Sequence, residues 1–251
     1  MTDKNKIVVV GLGEVGKPLY ELISKYHSVL GVDITPPSIP PASVDVLHIC
    51  YPFQIRDFVG ECARYIEMFK PRVTVINSTV AVGTTRKVAQ RSGSAVTYSP
   101  VRGKHTRMLE ELVKYRKFIG SLDPASGELA AKHFESLGMK TKTLSSPEAA
   151  ELAKLTETTY FGLMIAWAQE VERYADQTGA KYDEIVSFYE EIAFFPPVKY
   201  TSGVIGGHCV MPNIELLRTM DDSQILNAIK ASNSKKVERE AKTLKPVDVS
   251  K

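Results

Sequence analysis

The stretch Lys6-Ile7-Val8-Val9-Val10-Gly11-Leu12-Gly13-Glu14-Val15-Gly16-Lys17-Pro18-Leu19 decides the fold. Four consecutive β-branched residues, Ile7 to Val10, predict a strand buried on both faces. The periodicity then changes, and Glu14 to Tyr26 reads as a helix. Between them lies G-x-G-x-x-G. Gly11 allows the tight turn, Gly13 lets backbone approach a pyrophosphate, and Gly16 lets helix and strand pack closely. The N–H groups and dipole at the head of that helix favour phosphate. A second strand, Ser28 to Val32, ends at Asp33, about where an acid accepts from the adenosine ribose hydroxyls. A carboxylate there repels a 2′-phosphate, so the cofactor expected is NAD. A lone G-x-G-x-x-G is weak, but here strand, helix and acid stand in register. The residues expected at the cofactor are Gly11, Gly13, Glu14, Val15, Gly16 and Asp33.

Outward from this stretch, strands and helices alternate. Val44 to Ile49, Val73 to Ile76, Ala95 to Tyr98, Arg116 to Gly120 and Lys140 to Leu144 are further expected strands. Ile55 to Phe69, Thr84 to Arg91 and Ala125 to Leu137 are expected helices. Such alternation implies a parallel sheet covered on both faces. At Ser145-Ser146-Pro147 the pattern changes. Ser146 suits an N-cap, Pro147 the first helical position and Glu148 the first turn. The chain then reads as helix to about Gly179. Shorter helices follow near Tyr182 to Glu190, Asn213 to Met220 and Ser223 to Lys242. The fold expected is α/β: a Rossmann-type parallel-sheet domain over residues 1–145, then an all-helical domain over 146–251. Residues 34–41, with four prolines, read as a short stiff loop, and the tail from Thr243 as frayed.

Composition narrows the class. The chain has 251 residues, 43% hydrophobic, with a formal net charge of +3, ordinary for a globular protein with a real core. Lys and Arg are interspersed with Asp and Glu, so no basic stripe points to nucleic acid. No segment is long and apolar enough to span a membrane, and the first residues carry no signal-peptide pattern. Cys50, Cys62 and Cys209 make no disulfide framework, so a reduced, cytoplasmic protein is expected. No His/Cys/Asp cluster has metal-ligand spacing, and no metal is expected.

Several stretches resemble one family. Gly11-Leu12-Gly13-Glu14-Val15-Gly16-Lys17-Pro18-Leu19 is similar to the nucleotide-binding opening of UDP-glucose/GDP-mannose dehydrogenases. Asn77-Ser78-Thr79-Val80-Ala81-Val82-Gly83-Thr84-Thr85 resembles its Ser-Thr-Val-x-x-Gly-Thr-Thr segment. Ser99-Pro100-Val101-Arg102 resembles its Ser-Pro-Glu-Arg segment. Glu148 to Thr156 resembles the start of its central helix, and Gly206-Gly207-His208-Cys209 its nucleophile loop. Asn233-Ser234 falls where the family has Asn-Asp-Ser. Order and spacing hold along nearly the whole chain.

The resemblance implies an NAD-dependent oxidoreductase acting on CH–OH groups. It would oxidise a sugar or nucleotide-sugar alcohol towards a carboxylate, in nucleotide-sugar metabolism serving polysaccharide biosynthesis. Lys154 would act as base or oxyanion stabiliser. Cys209 would attack the aldehyde of the first oxidation, and the thiohemiacetal would become a thioester. Thr79 would help place the hydrolytic water. Pro52 and Val80 would line the nicotinamide side, with Ser78 and Thr79 beside them. The family's Glu is Val101 here, its Asn one turn after the lysine is Thr158, and its Asp four residues after the cysteine is Asn213. Two lost carboxylates predict weaker general-base hydrolysis, by roughly 10²–10⁴ in rate.

The family also carries a third, nucleotide-sugar-closing domain, which this sequence does not contain. Either the substrate is smaller, or a partner supplies that surface, or the chain does not work as the family does. The long helix from Pro147 would pack against its twin, so a homodimer is expected, with Tyr160, Phe161 and Trp167 on that face. Two other readings stay open. One is a two-electron β-hydroxyacid-type dehydrogenase needing no cysteine. The other is a non-catalytic NAD-binding subunit. His208, diverging from its neighbour Cys209, reads as a loop residue rather than a base.

Overall fold

A computed structural model describes residues 6–34, 43–103, 107–192, 201–206, 209–220 and 223–243. All but Ile34 of the proline-rich loop lies outside the described residues, as do Gly207, His208 and the chain beyond 243. The chain divides into two compact units, Met1–Lys154 and Leu155–Lys251.

The first unit is a seven-stranded sheet in the order β2-β1-β3-β4-β5-β6-β7. Its strands are β1 (Lys6–Val10), β2 (Ser28–Val32), β3 (Val44–Ile49), β4 (Pro71–Ile76), β5 (Val96–Tyr98), β6 (Lys117–Ser121) and β7 (Thr141–Leu144). Its helices are α1 (Gly16–Ile23), α2 (Phe58–Phe69), α3 (Thr84–Ser92), α4 (Met108–Lys114) and α5 (Pro124–Ser136). Each sheet face builds its own core. Ile7, Val9, Val73 and Val75 pack with Leu19, Leu112 and Phe134 on one side. Val8, Val10, Leu47 and Ile49 pack with Phe58, Ile66 and Val88 on the other. The unbroken apolar strands of the sequence are thus buried on both faces.

Two features depart from the sequence reading. The sheet is not wholly parallel, because β6 runs antiparallel to β5. Between them the chain forms α4, which periodicity did not single out. It has seven residues and lies between two strands of opposite direction. Met108 and Leu112 still drive its formation by packing in the first core.

A polar layer lies inside that core. Asn77 Nδ2 donates to Val75 O at 3.1 Å and to His48 Nδ1 at 3.0 Å. His48 Nε2 therefore carries the proton and donates to His133 Nε2 at 2.9 Å. Lys117 is buried beside them, donating from Nζ to the carbonyls of Ser99 and Pro100 at 2.8 and 3.2 Å. Burial, chiefly, lowers Lys117 to about 7. Burial likewise holds His48 well below its usual value and His133 at about 3.

The helix α6 (Pro147–Thr178) starts on the first unit. Ser146 Oγ accepts from Ala149 N at 3.1 Å, the N-cap the sequence implied. Gly120 makes room for this crossing, since a Cβ there would lie 2.6 Å from Pro147 Cα. The helix ends at Gly179, whose φ of 71° suits a left-handed cap.

The second unit contains the rest of α6 with α7 (Tyr182–Glu190), α8 (Val210–Arg218) and α9 (Gln224–Thr243). Its core gathers Ala166, Ile205, Val210, Ile214, Leu226 and Ile229. Gly162 permits close approach, because a Cβ there would meet Val210 Cγ1 at 2.5 Å. Lys236 Nζ donates to Glu172 at 2.6 Å, tying α9 to α6. Tyr160, Phe161 and Trp167 stay about half exposed rather than joining this core.

The buried histidines set an acid limb. In the unfolded chain His133 takes a proton near 6.5, in the folded one near 3. Between these values the unfolded chain binds more protons, so stability falls as pH drops through that window. His48 adds in the same direction. Urea unfolding at pH 7, 5.5 and 4.5 should show this loss, and His133→Gln, which keeps an acceptor for His48, should flatten it.

Candidate functional site

The strands β1, β3, β4 and β5 are parallel, so their carboxyl ends share one edge of the sheet. The chain turns to opposite sides of β1 to make β2 and β3. Ligands of doubly wound sheets bind at such a reversal.

The glycine loop sits there, and each glycine has a distinct role. Gly11 adopts a φ of 87°, closed to most side chains, and its N–H donates to Val32 O at 2.8 Å. A Cβ on Gly16 would stand 1.7 Å from Gly11 O, so α1 rests directly on the turn. Around Gly13 no atom lies within 4 Å of a Cβ position, and Gly13 and Glu14 are exposed. Asp57 and Asp123 cap α2 and α5, whereas α1 starts at Val15 with no side-chain cap. An open backbone face at an uncapped helix head fits a diphosphate. Asp33 is exposed one residue beyond β2.

At the neighbouring strand ends, Ser78 Oγ donates to Tyr51 O at 2.6 Å. Ser78 is buried and ties the β3 and β4 ends together. Pro52 is exposed and Thr79 partly exposed. Val80, expected beside a nicotinamide, is fully buried with Ile76 and Val88, so only its backbone is available there. Val101 is buried with Cys50, Met108 and Leu112. Where the family has a carboxylate, this chain has a core side chain. Arg102 lies over the Tyr115 and Phe118 rings.

The opening of α6 is held by a residue that sequence reading did not single out. Glu151 accepts from Gly83 N at 2.6 Å, Thr85 N at 2.8 Å and Thr85 Oγ1 at 2.6 Å. It thus caps α3, whose own N-cap is Gly83. Burial raises its pKa, against the lowering by the Thr85 and Gly83 bonds. Arg86 pairs with Glu148 at 2.7 Å alongside. The one sequence signal for this seat was the acidic first turn of the helix. Lys154 is partly exposed, three residues beyond Glu151, and its charge helps to lower the pKa of Lys117. Thr158 lies one turn further along the helix and is also partly exposed.

In the second unit Cys209 is the N-cap residue of α8. Asn213, one turn on, is buried, and its N–H donates to Cys209 O at 3.3 Å. Cys209 is exposed, whereas Cys50 and Cys62 are buried. Burial pushes both of those thiols up to about 12, which leaves them protonated and poor nucleophiles. Among the described residues no group of three or more His, Cys, Asp or Glu could hold a metal ion. Nor is any described helix long and apolar enough to cross a membrane.

Comparison with known proteins places this architecture. Residues 148–237 match the model of the UDP-glucose/GDP-mannose dehydrogenase family, central domain. The chain is 26% identical to the UDP-N-acetyl-D-mannosamine dehydrogenase of Methanocaldococcus jannaschii over 82% of its own length and 59% of that protein. The chain therefore spans about 60% of such a relative. By fold it is similar to the UDP-D-ManNAc dehydrogenase of Pyrococcus horikoshii, with a TM-score of 0.82, 22% identity, and coverage of 95% of this chain and 70% of that one. It is also similar to Mycobacterium tuberculosis 3-hydroxyisobutyrate dehydrogenase, with a TM-score of 0.71, 16% identity, and coverage of 95% and 94%.

Two substitutions separate the glycine that the packing consumes from the one that faces open space. Gly16→Ala should cost more than about 3 kcal/mol or abolish folding, since its Cβ overlaps backbone. Gly13→Ala should unfold within about 1 kcal/mol of the parent. Glu151→Ala strands three donors and should cost about 2–4 kcal/mol, with Glu151→Gln in between. Thermal and urea unfolding measure all four variants.

Proposed function

We propose that the chain is the cofactor-binding and central part of an NAD-dependent dehydrogenase that oxidises a nucleotide-sugar alcohol towards a carboxylate. The observation that carries this reading is the family match over 148–237, which contains both Lys154 and Cys209. The open face at Gly13 and the carboxylate of Asp33 support NAD as its cofactor.

NAD, where bound, supplies the hydride acceptor. The Lys154 ammonium stabilises the alkoxide from which the first hydride leaves. The Cys209 thiolate then adds to the aldehyde carbon, and the carbonyl oxygen becomes the alkoxide of a thiohemiacetal. Loss of a second hydride from that carbon leaves a thioester on Cys209. Water adds to the thioester carbonyl, the C–S bond breaks, and a carboxylate leaves with the thiolate restored and two protons passing to solvent; the resemblance gives Thr79 the placing of that water and Thr158 a hydrogen bond to the oxyanion. With Val101 in the core and Asn213 unable to take a proton, hydrolysis is the slow step.

A second reading is favoured by the likeness to 3-hydroxyisobutyrate dehydrogenase, which extends over 94% of that chain. Under it, one hydride is transferred and Cys209 takes no part. The half-exposed Tyr160, Phe161 and Trp167 support association of α6 with its counterpart in a second copy.

The deciding experiment mixes the protein with NAD and UDP-N-acetyl-D-mannosamine and follows NADH. Two NADH per sugar, a thioester-sized mass increase on Cys209 and loss of both in Cys209→Ser are expected. Lys154→Ala should lower turnover by roughly 10²-fold or more. One NADH per 3-hydroxy acid, unchanged in Cys209→Ser, would establish the second reading instead. NAD binding with no turnover of any sugar or hydroxy acid would reject both.

A further inference from the structure

The segment before Cys209 is rich in glycine, with Gly203, Gly206 and Gly207 within five residues. Such a backbone has little stiffness of its own. It is nonetheless held in its middle at Ile205, by two separate devices. The Ile205 side chain is buried with Val210 and Ile214 of α8. Its backbone is gripped by a side chain from α9. Asn233 Oδ1 accepts from Ile205 N at 2.7 Å, and Asn233 Nδ2 donates to Ile205 O at 3.0 Å. The amide therefore pairs both polar groups of one residue, as a neighbouring strand would.

The grip is braced from α6. Gln169 Nε2 donates to Gly203 O at 2.8 Å and lies 3.3 Å from Asn233 Oδ1. Ser232 Oγ donates to Gln169 Oε1 at 3.1 Å and accepts from Arg173 at 2.8 Å. Gln169, Ser232 and Asn233 are all buried. Their donors and acceptors interlock in one sense only. A flipped Asn233 amide would face Ile205 N–H with its own NH₂. A buried network so connected specifies one arrangement.

We propose that Asn233 is a positioning residue for Cys209. By clamping Ile205 it sets the place from which the glycine segment enters α8, four residues before the thiol. This rests on the reading of Cys209 as the nucleophile. The amide acts on the backbone and touches no reacting atom. Ile205 is held on one side of the thiol, and Val210, the first residue of α8, is itself in the core on the other. A loop tied by its glycines alone would not be so held.

The test uses the whole chain and four variants. In Asn233→Ala the Ile205 amide should exchange with deuterium at least a hundredfold faster. Cys209 should be alkylated by iodoacetamide at least threefold faster, read by mass spectrometry. NADH formation from UDP-N-acetyl-D-mannosamine should lose at least tenfold in kcat with the KM for NAD unchanged. Asn233→Asp keeps the acceptor for Ile205 N–H and loses the donor, so it should fall between Ala and the parent. Val186→Ala, a core trim on α7 outside the cluster that holds Ile205, should lower the unfolding temperature and leave all three readouts at parental values. The proposal is overturned if Ile205 exchange is unchanged in Asn233→Ala. It is overturned equally if Val186→Ala reproduces the effects, or if exchange rises while alkylation and kcat stay put. Failure of the dehydrogenase reading shows separately, as a parent that makes no NADH or is indifferent to Cys209→Ser. Exchange and alkylation, which need no substrate, then decide the clamp alone.

Discussion

The carboxylate of Glu151 sits at the head of α3 with three donors around it, and the placing of α6 depends on it. A buried carboxylate is costly unless it is fully hydrogen-bonded. Here two backbone N–H groups and a hydroxyl meet it, and the dipole of α3 favours its charge. Once this seat is taken, the first turns of α6 have one position on the sheet. Ala150 packs into the second core, Glu148 reaches Arg86, and Gly120 leaves space for Pro147. Lys154 follows within one turn. A lysine that looks like any helical surface residue in sequence is thereby carried by the sheet domain itself.

The glycine loop shows a second economy of contact. Gly11 and Gly16 are consumed by the fold, one by its backbone angle and one by the absence of a Cβ. Gly13 is left over, facing open space. The same six residues thus build the turn and leave one backbone face for a ligand. The sheet core holds a polar layer beneath the strand ends in which His48, Asn77, His133 and Lys117 bond to one another or to backbone carbonyls, with Asn77 Oδ1 and His133 Nδ1 left without a partner among the described residues. The layer's cost appears as strongly lowered basicity.

The helical unit has a smaller apolar core, and its arrangement leans on polar side chains. Ion pairs join α6 to α9, and the amides of Gln169 and Asn233 organise the segment leading to α8. Cores of this kind gain definition from directional bonds where apolar area alone is insufficient.

The amino-acid sequence by itself determined the strand and helix order apart from α4, the glycine loop and the cap at Ser146. Each depends on neighbours within a few residues: β-branched runs, helical periodicity, and glycine, proline and serine at turns and caps. Family resemblance added Lys154 and Cys209, because motif order survives in linear sequence. Only the tertiary structure decided that β6 reverses, that Val101 is a core residue, that Val80 turns inward, and that Glu151, Lys117 and Gln169 are buried. These follow from contacts between residues tens of positions apart, such as Glu151 with Thr85 and Asn233 with Ile205. Isolated Glu, Lys, Gln and Asn side chains read as solvated in sequence. Whether they are instead enclosed depends on the partners that folding brings to them, and no local pattern records those partners.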